Sequence, residues 1–251
     1  MKPRDRQNSI VDLVDQQGEV TVEELAARFD VSAETIRRDL AYLAASAVLL
    51  KGHGLARRMR HVAEASFDER LVEHAEAKAI IAQKVGAEIR PGEALFIDTG
   101  TTTLACASVL ARLPNLTVVT NSVAIARLMA AGDGGAEVHL LGGRYAPGNA
   151  QTVGVATVAG LETFRADVAV LTVTALDAEG GAMDANLEEA HIARAMHANA
   201  RRSIILAHGA KLGRTAPHRV CRLDQIDMLV CDRQPDAPLA LALATAGVEL
   251  R

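Results

Sequence analysis

Val31-Ser32-Ala33-Glu34-Thr35-Ile36-Arg37-Arg38-Asp39-Leu40, running on to Leu43, decides how the first part of the chain is read. Ser32 has the right side chain for an N-cap, and Ile36, Leu40 and Leu43 recur at i, i+4 and i+7, so the spacing predicts a helix with one apolar back. Thr35, Arg37 and Arg38 fall on its other faces, where an arginine can pair bidentately with guanine and hydroxyls can reach phosphate or base edges. The free N–H groups of its first turn add an affinity for anions.

Working outward, Thr21-x-x-Glu24 just upstream is a capping box, in which the threonine oxygen accepts from the third backbone N–H and the glutamate reaches back. It opens a helix whose buried side is Leu25, Ala26 and Phe29, and Asp30-Val31 turns the chain into the next one. Before it, Ile10, Val11, Leu13 and Val14 line one face of a first helix closed by Gln17-Gly18. Downstream, Val48 to Lys51, Gly52-His53-Gly54 and Leu55 to Arg60 read as a β-hairpin with a glycine turn and basic flanks. Three short helices followed by such a hairpin make a winged helix-turn-helix over residues 3–58. A protein-interaction module with a solvated arginine pair is the duller reading. The spacing, the capping box and the basic wing together favour double-stranded DNA.

The charge is placed to match. The whole chain carries −4, but residues 1–62 hold ten Lys/Arg against nine Asp/Glu, and the rest 17 against 22. Lys51, Arg57, Arg58 and Arg60 sit together with no acid among them, and the local patch is the electrostatic signal. At 49% hydrophobic and 23% charged the 251 residues suit one small and one medium globular domain. Aromatics are only 2%, which disfavours base-stacking recognition of single strands. No apolar run approaches the ~20 residues of a membrane span, and Met1 to Asn8 lacks a secretory apolar region. Cys106, Cys221 and Cys231 have no paired spacing and read as free thiols in a reducing cytosol, with no metal site. A cytoplasmic protein without a cofactor is expected.

Residues 59–76 are polar and mixed in charge, Phe67 and Arg70 excepted, and read as a linker to an α/β domain over 77–251. A helix to about Arg90 turns Ile81, Val85 and Ile89 inward and ends at Pro91-Gly92. Near-continuous apolar strands then alternate with helices: Ala94–Ile97, Leu116–Thr120, Glu137–Leu141, Val168–Val173, Ser203–Ala207 and Met228–Cys231. That is the pattern of an open doubly wound parallel sheet covered on both faces.

Ligands of such sheets sit at the carboxyl ends of the strands. After the first comes Asp98-Thr99-Gly100-Thr101-Thr102-Thr103, a close-approach glycine and hydroxyls leading into a helix, which reads as a phosphate cradle. After the second come Asn121 and Ser122, after the third Gly142 and Gly143, and after the fifth His208-Gly209-Ala210-Lys211 with its cation. Asp177, Asp184, Glu188 and Glu189 follow the fourth and are candidates for sugar hydroxyls. Each alone is an ordinary cap or turn; their recurrence at strand ends points to one shared site.

Val20 to Ala26, Val31 to Leu40 and His53-Gly54 resemble the DNA-binding signature of the DeoR family of bacterial regulators. That resemblance implies DNA contacts from Thr21, Ser32, Glu34, Thr35, Arg37 and Arg38 and, in the wing, Lys51, His53, Arg57 and Arg58. Asp98-x-Gly100-Thr101-Thr102, Thr120-Asn121-Ser122, Gly142-Gly143, Glu189-Ala190 and Lys211-Leu212-Gly213 resemble the family's sensor domain, similar in fold to ribose-5-phosphate isomerases. It implies a repressor of a carbohydrate or polyol operon, released by a phosphorylated sugar or related metabolite, and acting as a dimer or tetramer so that two helices meet two half-sites. Two departures stand out: Leu55 follows His53-Gly54 where the family usually has a second glycine, and His208-Gly209-Ala210-Lys211 replaces the usual Asp-x-Ser-Lys. The second implies altered effector contacts and leaves a more acidic ligand among the options. The alternative from another class is a phosphosugar isomerase with a fused DNA-binding arm, recruiting Asp98, Asp184 or Glu188 as acid or base.

Overall fold

The computed structural model describes residues 6–7, 9–11, 13–14, 19–45, 49–52, 55–58 and 66–251, with backbone alone at 19, 44–45, 49–52 and 55–58. The chain divides into two compact units, Met1–His61 and Val62–Arg251.

In the first unit the described residues between 6 and 14 are helical. Then come β1 (Glu19–Thr21), α1 (Val22–Phe29), α2 (Ala33–Ala45), β2 (Leu49–Gly52) and β3 (Leu55–Arg58). The capping box at Thr21 forms as predicted: its Oγ1 accepts from the Glu24 N–H at 3.1 Å, and the Glu24 carboxylate accepts from the Thr21 N–H at 2.8 Å. Asp30 closes α1 in the left-handed region at φ 51°. Ser32 Oγ accepts from the Thr35 N–H at 3.2 Å, the cap expected for α2. Ile10, Leu13, Val14, Leu25, Ile36, Leu40 and Leu43 meet in one core. The hairpin gains a third strand, because β1 pairs antiparallel with β3 through Glu19↔Arg57, Val20↔Ala56 and Thr21↔Leu55. Three residues are too few to show strand periodicity, so β1 was illegible in the sequence.

The second unit opens inside the stretch expected as linker. Helix α3 (Phe67–Val72) begins with a capping box of its own, Ser66 and Glu69, and α4 (Ala75–Glu88) follows directly. Mixed charge concealed a Ser-x-x-Glu signal of the same kind as Thr21-x-x-Glu24. There follow β4 (Ala94–Ile97), α5 (Thr101–Leu110), β5 (Thr117–Thr120), α6 (Val123–Ala130), β6 (Glu137–Leu140), β7 (Arg144–Ala146), β8 (Gln151–Val153) and α7 (Val155–Leu161). After them come β9 (Ala166–Thr172), β10 (Ala175–Asp177), β11 (Gly181–Asp184), α8 (Leu187–Asn199), β12 (Ala200–Leu206), β13 (His218–Cys221), β14 (Met228–Val230), α9 (Ala237–Ala246) and β15 (Glu249–Leu250).

Seven strands make one sheet in the order β15-β14-β12-β9-β4-β5-β6, parallel at every pairing. Each of the six strands expected from the sequence is among them. Alternation along β4 and β9 sends Leu95, Ile97, Val168 and Val170 to a face covered by α4, α5 and α6. Phe96, Ala169 and Leu171 go to the other, against α7, α8 and α9. The two-residue β15, the hairpin β7-β8 and the antiparallel trio β10-β11-β13 were not expected. The chain runs outward from β4 through β5 to β6, then returns to lay β9 on the other side of β4. This reversal creates a crevice beyond the carboxyl ends of β4 and β9, where open α/β sheets bind ligands.

Candidate functional site

A cavity of about 160 Å³ opens at that crevice. Its wall draws Thr99 and Thr101 from the loop after β4, Thr172, Val173 and Thr174 from the end of β9, and Asp184 and Glu189 from β11 and α8. His208, Ala210, Lys211 and Arg214 come from the loop after β12, and Arg70, Glu73, His74 and Lys78 from α3 and α4. A smaller recess of about 10 Å³ shares Thr99, Asp184 and Glu189 with it and adds Asp98, Asn121, Gln151 and Ile192.

Cations and carboxylates are partly sorted between these spaces. Arg70, Lys78, Lys211 and Arg214 border the cavity alone, together with one carboxylate, Glu73, whereas Asp184 and Glu189 border both spaces and Asp98 the recess alone. Two helices present uncapped N-termini here: α4, whose N-cap is His74, and α5, whose N-cap is Gly100, make no side-chain capping bond. Their first N–H groups give the cavity a further pull on anions. Gly100 is required for space, since a Cβ on it would lie 2.3 Å from Thr172 Cγ2.

Burial has marked effects on charge. Lys78 lies on the inward face of α4, its Nζ donating to the Arg70 carbonyl. Burial first, and then Lys211 and Arg70 nearby, lowers its pKa from 10.5 to about 8. Asp98 is pushed well above the usual carboxylate range by burial, although both its oxygens accept from the Thr172 N–H, at 3.1 and 3.0 Å. His208 is lowered to about 3, again chiefly by burial, with Lys211 and His74 adding to it. Its ring lies 4.4 Å from that of His74, centroid to centroid, and remains neutral at physiological pH.

Of the residues expected to meet an effector, Asp98, Thr101, Asn121, Asp184 and Lys211 line one or both spaces, and Gly100 backs them. The others do not. Thr103 Oγ1 donates to the Asp98 and Gly100 carbonyls and tightens the turn, and Thr102 is packed inside α5. Ser122 is the N-cap of α6, its Oγ accepting from the Ile125 N–H. Gly142 and Gly143 seat α7: Thr157 Oγ1 donates to the Gly142 carbonyl at 2.8 Å, and a Cβ on Gly143 would strike that hydroxyl. Glu188 pairs with Arg144 at 2.5 Å outside both spaces, and Asp177 accepts from Glu179 N–H in a turn. Small polar residues after strands serve helix starts as well as ligands, and only the sheet's reversal distinguishes the two uses.

Arg70, Glu73, His74, Lys78, Thr99, Thr172, Thr174, Gln151 and Arg214 were missed as site residues. One signal was present: Lys78 stands three residues before Ile81 and seven before Val85, so it falls on the apolar stripe of its helix. A lysine there is almost never fully buried unless paired.

In the first unit α2 presents Arg37 and Arg38 outward, 51% and 80% exposed, with the Glu34 carboxylate 3.7 and 3.6 Å away between them. Ser32 Oγ also lies 2.9 Å from Thr35 Oγ1, so both hydroxyls are engaged at the helix start. The back of α2 carries a contact that sequence reasoning did not find. Asp39 is buried and accepts from Arg6 Nε at 2.6 Å and Gln7 Nε2 at 3.0 Å, tying the helix to the first one. His53 and the side chains of Lys51, Arg57 and Arg58 in the wing lie outside the described residues, as do Gln17-Gly18 and residues 59–65 of the expected linker.

A helix-turn-helix with a strand-backed wing, joined in one chain to an α/β domain with a cation-lined crevice, defines a DNA-binding regulator with a ligand-sensing domain. Residues 6–62 match the DeoR-like helix-turn-helix domain and residues 73–233 the DeoR C terminal sensor domain. The chain is 33% identical over 251 residues to the glycerol-3-phosphate regulon repressor of Escherichia coli (strain K12), across 100% of this chain and 99% of that protein. It is 30% identical to the HTH-type transcriptional repressor GlcR of Bacillus subtilis (strain 168), across 100% and 96%. The chain belongs to the DeoR family of transcriptional regulators and is not an enzyme. Among solved structures, one in the tetrameric eIF2B-beta2-delta2 complex from C. thermophilum aligns with TM-score 0.50 and 15% identity over 96% of this chain and 82% of that one. A D-ribose-5-phosphate isomerase in complex with phospho-erythronic acid aligns with TM-score 0.41 and 16% identity over 55% and 54%.

Proposed function

We propose that this regulator represses a carbohydrate or polyol catabolic operon and releases its operator when a phosphorylated sugar or polyol enters the sensor cavity. The observation that carries the reading is the cavity itself: cations and two uncapped helix N-termini at the switch point of the sheet, with carboxylates shared with the adjoining recess. A phosphate monoester matches the first, and the hydroxyls of its carbon chain match the second. A cavity of about 160 Å³ suits a small metabolite.

Arg37 and Arg38 read the major groove from α2, with Glu34, Thr35, Ser32 and Thr21 beside them, while Lys51, His53, Arg57 and Arg58 hold phosphates from the wing. The protein works in the cytoplasm as a homodimer or tetramer, which brings two recognition helices to two half-sites. An effector that prefers one arrangement of that assembly shifts its population away from the DNA-bound one. The test is a mobility-shift titration of promoter-proximal DNA with and without a panel of phosphorylated sugars and polyols. Salt-sensitive, sequence-selective binding weakened by one of them is expected. Absence of selective binding in every condition overturns the proposal.

A further inference from the structure

The recess adjoining the cavity carries information that the cation-lined cavity does not. Asn121 is 1% exposed, and its Oδ1 has no hydrogen-bond partner among the described residues. Its orientation is determined. The Thr152 carbonyl, which can only accept, takes the Asn121 Nδ2 hydrogen at 3.1 Å. Gln151 is fixed the same way, because its Nε2 donates to the Glu189 carboxylate, leaving Oε1 to accept from Asn121 Nδ2 at 3.0 Å. Exchanging the oxygen and nitrogen of either amide would set donor against donor or acceptor against acceptor. Asn121 Oδ1 is therefore an acceptor, buried at the recess. Thr99, 8% exposed, adds a second buried oxygen without a partner, and it borders both the recess and the cavity.

Asp98, Asp184 and Glu189 line the same recess as Asn121. Asp184 Oδ1 accepts from Thr174 Oγ1 at 3.2 Å and from the Asn186 N–H at 3.1 Å, and Glu189 Oε1 accepts from Asn149 Nδ2 at 2.7 Å. These bonds fix both carboxylates where they border the recess. At about 10 Å³ the recess holds about one oxygen-sized group. What enters must bring hydrogens. A hydroxyl satisfies the buried acceptor, whereas a carboxylate leaves it unmet and sets like charges side by side.

From this juxtaposition we infer that the sensor selects phosphate monoesters whose end remote from the phosphate is a neutral hydroxyl donor, and rejects those ending in a carboxylate. Phosphorylated polyols and sugars pass; phosphorylated sugar acids do not. The inference rests on the sensor reading above and reverses the expectation drawn from His208, since a second acidic group finds Asn121, Asp184 and Glu189 and not a cation. His208 itself borders the cavity, beside His74 and Lys211.

The test uses the full chain and two matched pairs of probes, glycerol 3-phosphate with 3-phosphoglycerate and glucitol 6-phosphate with 6-phosphogluconate, plus inorganic phosphate for the cavity. Calorimetric titration should show the polyol ester of the tighter pair binding at least about tenfold better than its acid. Asp184→Asn removes one carboxylate charge from the recess lining, so the ratio should move toward the acid by roughly fivefold or more. An acid that binds the wild-type chain as tightly as its polyol overturns the inference and leaves the sensor reading standing. Failure of all five probes to bind overturns the sensor reading as well.

Discussion

In the N-terminal unit the singled-out polar side chains are bonded within their own fold: Thr21 to Glu24, Ser32 to Thr35 and Asp39 to Arg6. In the sensor unit four side chains keep a buried atom without a partner among the described residues, and three of them, Thr99, Asn121 and His208, lie at one crevice, while His197 does not. Buried polar atoms are nearly always paired, so the second pattern marks a place arranged for something else to complete it. The first marks a rigid support behind the helix that carries Arg37 and Arg38. On the proposed function, the comparison teaches that α2 is set by its own fold and that the sensor crevice is completed by a ligand.

The largest effect that would break this contrast is Asp39→Ala. It leaves Arg6 buried and unpaired, a loss of about 3–5 kcal/mol. Selective DNA binding should vanish while calorimetry shows effector binding unchanged; intact DNA binding would show that the support is not needed. Lys211→Ala does the opposite. Removing a cation from the cavity should cost about 1.5–3 kcal/mol of phosphate-ester affinity, and mobility shifts should show an operator still bound but no longer released. Arg38→Ala should weaken operator binding by about 1–3 kcal/mol and flatten discrimination at one base position, without moving the effector isotherm.

The smallest effect is a pH dependence with two signs. Because burial holds Lys78 at about 8, below its ordinary 10.5, its charge opposes folding at neutral pH. The stability of the unliganded sensor should therefore rise as pH passes from about 8 toward 10.5. Affinity for inorganic phosphate should fall over the same rise, since the lysine loses the charge that the anion meets. Melting curves and titrations from pH 7 to about 9.5, against Lys78→Met as the flat control, separate the two.

The helix-turn-helix was almost fully legible because its signals are local. A cap, a capping box and an i, i+4, i+7 stripe act within a few residues, and α1 and α2 form where those signals place them. The Arg6–Asp39 tie escaped because its partners stand 33 positions apart. In the sensor unit the six main strands were readable as apolar runs, and the short ones were not. The hydroxyls and glycines after the strands were found, but the same residue types cap helices and seat them. Ser122, Gly142 and Gly143 went to those duties, Glu188 to an ion pair with Arg144, and Asp98, Asn121 and Asp184 to the crevice.

By itself, then, the sequence determined α1, α2, the six main strands, the faces they bury and the family resemblance, because periodicity and caps are interactions between near neighbours. Tertiary structure alone decided which polar side chains share a site. The reversal of strand order between β4 and β9 brings α3, α4 and the loop after β12 to one crevice, and the packing there leaves Asn121 with an acceptor and no donor. No local pattern encodes that meeting, since its members come from eight separate segments between Arg70 and Arg214.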